Sequence, residues 1–205
     1  FTFGGLLVPE TRTVAEAYRA SGDWAAVRST VVGDNALAKT RSASSRRYFR
    51  EIRDRLQRAY PWEVDVIVGT TDTVTAPDAD RAVVLFALFA RYYRLVGRFM
   101  TDVVRPRVTA GLPTIDAAMF RSFLADRSAV HPELASISDS TAAKLTSVTM
   151  RAFREAGIIS GRRGPYTVTP PPMSPEIRRR YCAQGDTDNF TALLWTDEEI
   201  TSCLK

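Results

Sequence analysis

Apolar residues recur at three- and four-residue intervals along most of the chain, the period of helices that bury one side. Val14, Ala15, Ala17 and Tyr18 mark the first helix, opened by Pro9-Glu10 and closed at Gly22. Asp23 caps a second that runs to about residue 32. A third is predicted over 45–60, with Tyr48, Phe49, Ile52, Leu56, Ala59 and Tyr60 on one arc. Pro61 stops it and starts a short helix to 68, and 70–77 reads as a loop. From Asp78 or Asp80 a long helix runs through about 104 and is halted by Pro106. Its stretch 82–90 is apolar on every side and should lie at the centre of a bundle.

Gly111-Leu112-Pro113 reads as a boundary. Thr114 then caps a helix to about 126, His131-Pro132 breaks the chain, and Ser138 or Asp139 caps a helix to Ala156 that ends at Gly157. The period next changes from 3.6 to 2. Residues 158–160 and 166–169, joined by Gly161-Arg162-Arg163-Gly164-Pro165, predict a β-hairpin. A short helix over 174–183 follows three prolines. Several helices and then a hairpin is the order of a winged helix-turn-helix. The expected fold is mainly α. A helical bundle occupies 1–112, a winged-helix-like part with one small hairpin 113–184, and a solvated acidic tail 185–205.

Among 28 basic residues only Lys39, Lys144 and Lys205 are lysine, and the net charge is +5. The charge is segregated. Basic blocks cover 39–58, 91–107 and 151–180, whereas 186–199 holds Asp186, Asp188, Asp197, Glu198 and Glu199 and no base. Such segregation suits a polyanionic partner; the alternative is an Arg-rich chain with ordinary solvated faces. On the third helix Arg47, Glu51, Asp54 and Arg58 fall on one arc and can neutralise one another, whereas Arg46, Arg50, Arg53 and Gln57 share an arc that carries no acid. A planar guanidinium suits phosphate, so this stripe invites a nucleic-acid backbone unless an acid of another helix answers it. On the helix beginning at Asp139, Ala142, Leu145, Val148, Ala152, Phe153 and Ala156 form a core arc, and Ser140, Lys144, Ser147, Arg151 and Arg154 share the other face. Small hydroxyls between long cations fit a groove-facing helix, and Arg162 and Arg163 sit where a wing would follow the backbone. A plain solvent face, or a protein-binding one, is the alternative. Arg91, Arg94 and Arg98 are read as cations complementing the late turns of a helix, with Asp102 pairing Arg98.

No P-loop, dinucleotide or nucleophile-elbow motif occurs. With one His and two Cys at distant positions there is little to hold zinc, so no metal or other cofactor is expected and no small-molecule substrate is evident. Cys182 and Cys203 make no disulfide framework and point to a reducing, cytoplasmic setting. The longest apolar run is too short to span a bilayer. These absences favour a binding protein over an enzyme.

Several of these stretches resemble the BrxA family of bacterial BREX phage-exclusion systems. Gly4-Gly5-Leu6-Leu7-Val8-Pro9-Glu10-Thr11-Arg12 is similar to the family's opening, and 42–56 to its Arg-rich third helix. Ser138-Asp139-Ser140-Thr141, Lys144-Leu145 and Glu155-Ala156-Gly157-Ile158 resemble its C-terminal signature, and Pro171-Pro172 with Pro175-Glu176 the segment after the hairpin. The likeness covers roughly 4–184, and nothing after Gln184. It implies a bundle similar to the NusB antitermination fold, binding of double-stranded DNA without known catalysis, other BREX proteins as partners, and a role in defence against phage. Some members carry an inner-membrane label, which the hydropathy of this chain opposes. The resemblance supplies no residue-level DNA site. An RNA-binding module by analogy with NusB, and a protein-interaction scaffold, are the competing readings.

Overall fold

The computed structural model describes residues 4–69 and 78–205; the loop expected over 70–77 lies outside them. The chain opens with α1 (Val8–Ser21), α2 (Trp24–Arg28) and a π-helical turn (Ser29–Gly33). Then come α3 (Ser42–Leu56), α4 (Pro61–Val68) and α5 (Asp78–Tyr92). The local signals work as expected: Gly22 takes the left-handed conformation after α1, and the Asp23 carboxylate accepts from the Ala25 and Ala26 amides. From Val83 to Ala90 every residue of α5 is buried, which makes it the central helix.

The long helix expected over 78–104 is broken. Tyr93 leaves helical geometry, α6 (Arg94–Phe99) turns away, a π-helical turn (Met100–Val104) follows, and α7 (Arg105–Thr109) runs on through Pro106. Two contacts account for the break. The Tyr93 hydroxyl accepts from Arg55, whose guanidinium also lies over the Tyr93 ring. Gly97 comes so near Ala90 that a Cβ would stand 3.0 Å from the Ala90 carbonyl oxygen. Pro106 does not stop the helix because it falls in the first turn of a new α-helical segment, where its missing N–H has no intrahelical partner to lose.

Residues 114–115, expected at a helix start, form β1 (Thr114–Ile115), and Asp116 instead caps α8 (Ala117–Ser128). After α9 (Pro132–Ala135), Ser138 caps α10 (Asp139–Glu155). The expected hairpin is β2 (Ile159–Ser160) and β3 (Tyr166–Val168). β3 is central in a three-stranded antiparallel sheet, pairing with β1 on one side and β2 on the other. The apolar core crosses residue 112 without interruption: Phe99 meets Phe120 at 4.9 Å and Phe123 at 5.3 Å, and Phe86 meets Phe153 at 5.6 Å between ring centres.

Residues 185–205, expected as a solvated tail, are part of that core. After α11 (Pro175–Gln184) come α12 (Thr187–Ala192) and α13 (Asp197–Cys203). Phe190, Leu193, Leu194 and Trp195 are buried, so apolar content outweighs the acidic composition. The acids answer basic residues of the bundle: Asp186 faces Arg91, Asp197 pairs with Arg105, and Glu199 with Arg178 at 2.7 Å. Cys182 and Cys203 are joined in a disulfide that ties α13 to α11. This corrects the reading of unlinked thiols and removes their support for a reducing setting. Among the described residues no helix is long and apolar enough to cross a membrane.

A buried polar network welds α4, α5, α11 and α12. The fully buried Glu63 carboxylate accepts two bonds from Arg91, at 3.0 and 2.9 Å, one from the Tyr181 hydroxyl at 3.0 Å and one from the Tyr60 amide at 2.8 Å. The Tyr60 hydroxyl donates to Asp186 at 3.0 Å. Burial holds the Tyr181 phenol well above its ordinary value, and burial with the Asp186 bond raises Tyr60. The folded state thus keeps protons that the unfolded chain releases at about pH 10, so stability should fall as pH rises past that value. Urea midpoints measured from pH 8 to 11 should decline, less steeply in Tyr181→Phe; equal slopes would contradict this account.

Candidate nucleic-acid interface

The family-like opening segment has a structural task. Gly4 and Gly5 both adopt positive φ, and a Cβ on Gly5 would stand 2.8 Å from a Glu155 carboxylate oxygen. The same oxygen accepts the Leu6 amide at 2.8 Å, while the Gly5 carbonyl accepts from the buried Arg55 at 2.8 Å. Leu6 itself is buried. Residues 5–6 therefore clamp the end of α3 to the end of α10. Arg55, packed over Phe89 and Tyr93, has its pKa lowered by burial, against the raising influence of Glu51. Glu51, expected on one arc with Arg47, Asp54 and Arg58, pairs with Arg55 at 3.1 Å.

The α10 helix carries the most coherent exposed face. Ser140, Lys144, Ser147, Arg151 and Arg154 are all exposed, while Leu145, Val148, Ala152 and Phe153 are buried behind them. Arg151 is 64% exposed and only loosely paired with Glu155 at 3.4 Å. Arg154 lies over the Tyr166 ring of β3 at 5.3 Å, which joins the helix face to the hairpin. Arg162 and Arg163 are exposed at the hairpin tip. Ser140 shares a hydroxyl contact of 2.9 Å with Ser138 at the cap. The small side chains leave room for close approach, and the guanidinium groups offer forked donors suited to phosphate or guanine.

The α3 stripe is less uniform than its spacing suggests. Arg46 is exposed and donates to the Ser42 hydroxyl at 2.8 Å; Arg50 is exposed with no ion pair among the described residues. Arg53 is answered by an acid after all, pairing with Asp54 at 2.7 Å. A wheel separates these neighbours by about 100°, but a long guanidinium arm spans that arc. Arg55, which reaches toward α10 through Gly5, lies about 200° around the helix from Arg53. The clamp thus does not join the stripe to the α10 face.

By fold the chain is a mainly helical protein with a small antiparallel sheet. It is similar to the crystal structure of an uncharacterized protein from Magnetospirillum magneticum, with a TM-score of 0.79 at 20% identity over 93% of this chain and 94% of that one. The sequence profile of BrxA matches residues 1–184, and the chain belongs to the BrxA family. It is 26% identical over 160 residues to the BREX protein BrxA of Escherichia coli O9:H4 (strain HS), covering 78% of this chain and 72% of that protein.

Proposed function

We propose that this protein is a component of a BREX phage-defence system and binds double-stranded DNA without catalysing a reaction on it. The same reading gives it a cytoplasmic setting and other BREX proteins as partners. The observation that carries it is the α10 face, exposed along its length and continued by the basic hairpin tip. The order β1, α8, α10, β2, β3, with β3 central, supports a winged-helix reading in which α10 enters the major groove and Arg162 and Arg163 follow the backbone. Arg46 and Arg50 add phosphate contacts on a separate surface, and Arg53 contributes little because Asp54 already holds it.

A gel-shift titration with a 30-base-pair duplex tests this. With about 4–7 phosphates neutralised, log affinity should fall against log salt with a slope of about −4 to −6. Replacing Lys144, Arg151 and Arg154 by alanine should weaken binding more than tenfold and make the slope shallower by about 2–3. Arg53→Ala should change little. No shift at low salt, or a triple variant that binds like the parent, would overturn the reading. Tighter binding of an equally charged single-stranded RNA would transfer it to RNA.

A further inference from the structure

A cleft of about 850 Å³ opens where α6, α8, α9 and α12 converge, away from the residues assigned to DNA. Its cations are Arg58, Arg91, Arg94, Arg98 and Arg127, and His131 also lines it; its own acids are Asp186 and Asp188. Two of the guanidinium groups are already occupied. Arg91 is held by Glu63 and faces Asp186 at 3.5 Å, and Arg127 pairs with Asp102. Arg98, 63% exposed, reaches the same Asp102 oxygen only at 3.8 Å. Arg94 has no ion pair or hydrogen bond among the described residues, and Arg58 rests on the Tyr92 ring without an acid partner. Five guanidinium groups thus face four carboxylates, Glu63, Asp102, Asp186 and Asp188, so the cleft keeps one net positive charge, with Arg58 and Arg94 the groups that no acid pairs. A concave low-dielectric wall concentrates that field. Arg94 and Arg98 stand one turn apart on α6, with Cβ atoms about 5–6 Å from each other, a spacing that lets both grip one anion. Leu95, Phe123 and Leu134 supply an apolar wall beside them.

We infer that this cleft binds a phosphorylated small molecule of nucleotide size, its phosphates between Arg94, Arg98 and Arg58 and its ring against the apolar wall. The volume lies within the about 300–1,000 Å³ of ordinary small-molecule sites. Guanidinium forks grip phosphate oxygens two at a time. The inference is independent of the DNA reading.

Calorimetric titration of the full chain with ATP, inorganic pyrophosphate and adenosine tests it. ATP should bind, pyrophosphate should bind at least tenfold more weakly than ATP, and adenosine should not bind measurably. Arg94→Ala/Arg98→Ala should weaken ATP at least tenfold, and Arg58→Ala should weaken it as well, while both variants keep the parental gel shift with duplex DNA. The inference is overturned if ATP fails to bind at millimolar concentration, if the double variant binds it unchanged, or if pyrophosphate binds as tightly as ATP. Neither variant removes a buried side chain, so loss of ATP binding with unchanged far-ultraviolet circular dichroism reports on the cleft.

Discussion

Glu63→Ala should lower the free energy of unfolding by about 3–5 kcal/mol, the range for removing one partner of a buried ion pair. The carboxylate is fully buried and accepts from Arg91, Tyr181 and the Tyr60 amide. Its loss leaves the Tyr181 phenol without its acceptor and leaves Arg91 with only the Arg58 carbonyl and Asp186 at 3.5 Å. A domain is stable by only about 5–15 kcal/mol, so a substantial share of the total is at stake. Once Glu63 is gone, Arg91→Ala should take away far less than it does in the parent, because the charge it removes has by then lost its two-pronged counter-ion and keeps only Asp186 at 3.5 Å. Urea denaturation of the four chains in this cycle measures it. A Glu63→Ala loss under about 1 kcal/mol, or strictly additive replacements, would show that solvent or another acid takes over the task.

Reduction of Cys182–Cys203 is expected to remove about 3 kcal/mol. The bond closes a loop with a sequence separation of 21 residues, and loop entropy lost from the unfolded chain gives about that figure for such a length. α13 has no fully buried residue; Ile200 packs partly buried against the core, and the Arg105–Asp197 and Arg178–Glu199 pairs add to its hold. Exposed ion pairs of this kind contribute about 0–1 kcal/mol each. Dithiothreitol should therefore lower the thermal midpoint of the parent, and a Cys182→Ser/Cys203→Ser chain should show the lower midpoint with or without reductant. Two free thiols in the protein purified without reductant would contradict the bond itself.

Local signals explain how much was legible beforehand. Gly22, Asp23, Ser138, Gly157 and Ser174 mark helix ends through bonds to residues a few positions away, and Pro61 opens α4 by its fixed φ, though α3 ends at Leu56 and not, as expected, at Pro61. The exposed side of α10 was equally visible, since one helix wheel suffices to separate it from Phe153. What escaped depends on distant partners. β1 is two residues long and exists because Thr167 and Tyr166 lie opposite. Tyr93 breaks its helix because Arg55 draws it aside. Glu63 meets Tyr181 across 118 positions. No periodicity within one segment announces such contacts. Asp54 and Arg53 are neighbours about 100° apart on the wheel, and only the length of the guanidinium arm brings them together.

The family profile stops at residue 184, and a shortened chain ending there is the natural choice for expression. The way Phe190 stacks on Trp195 beneath the bundle argues against that choice. Cutting after Gln184 would strip the cover from the interior, separate Cys182 from its mate and strand Arg105 without its counter-ion. The product should collect in inclusion bodies, so a useful deletion has to be sought elsewhere.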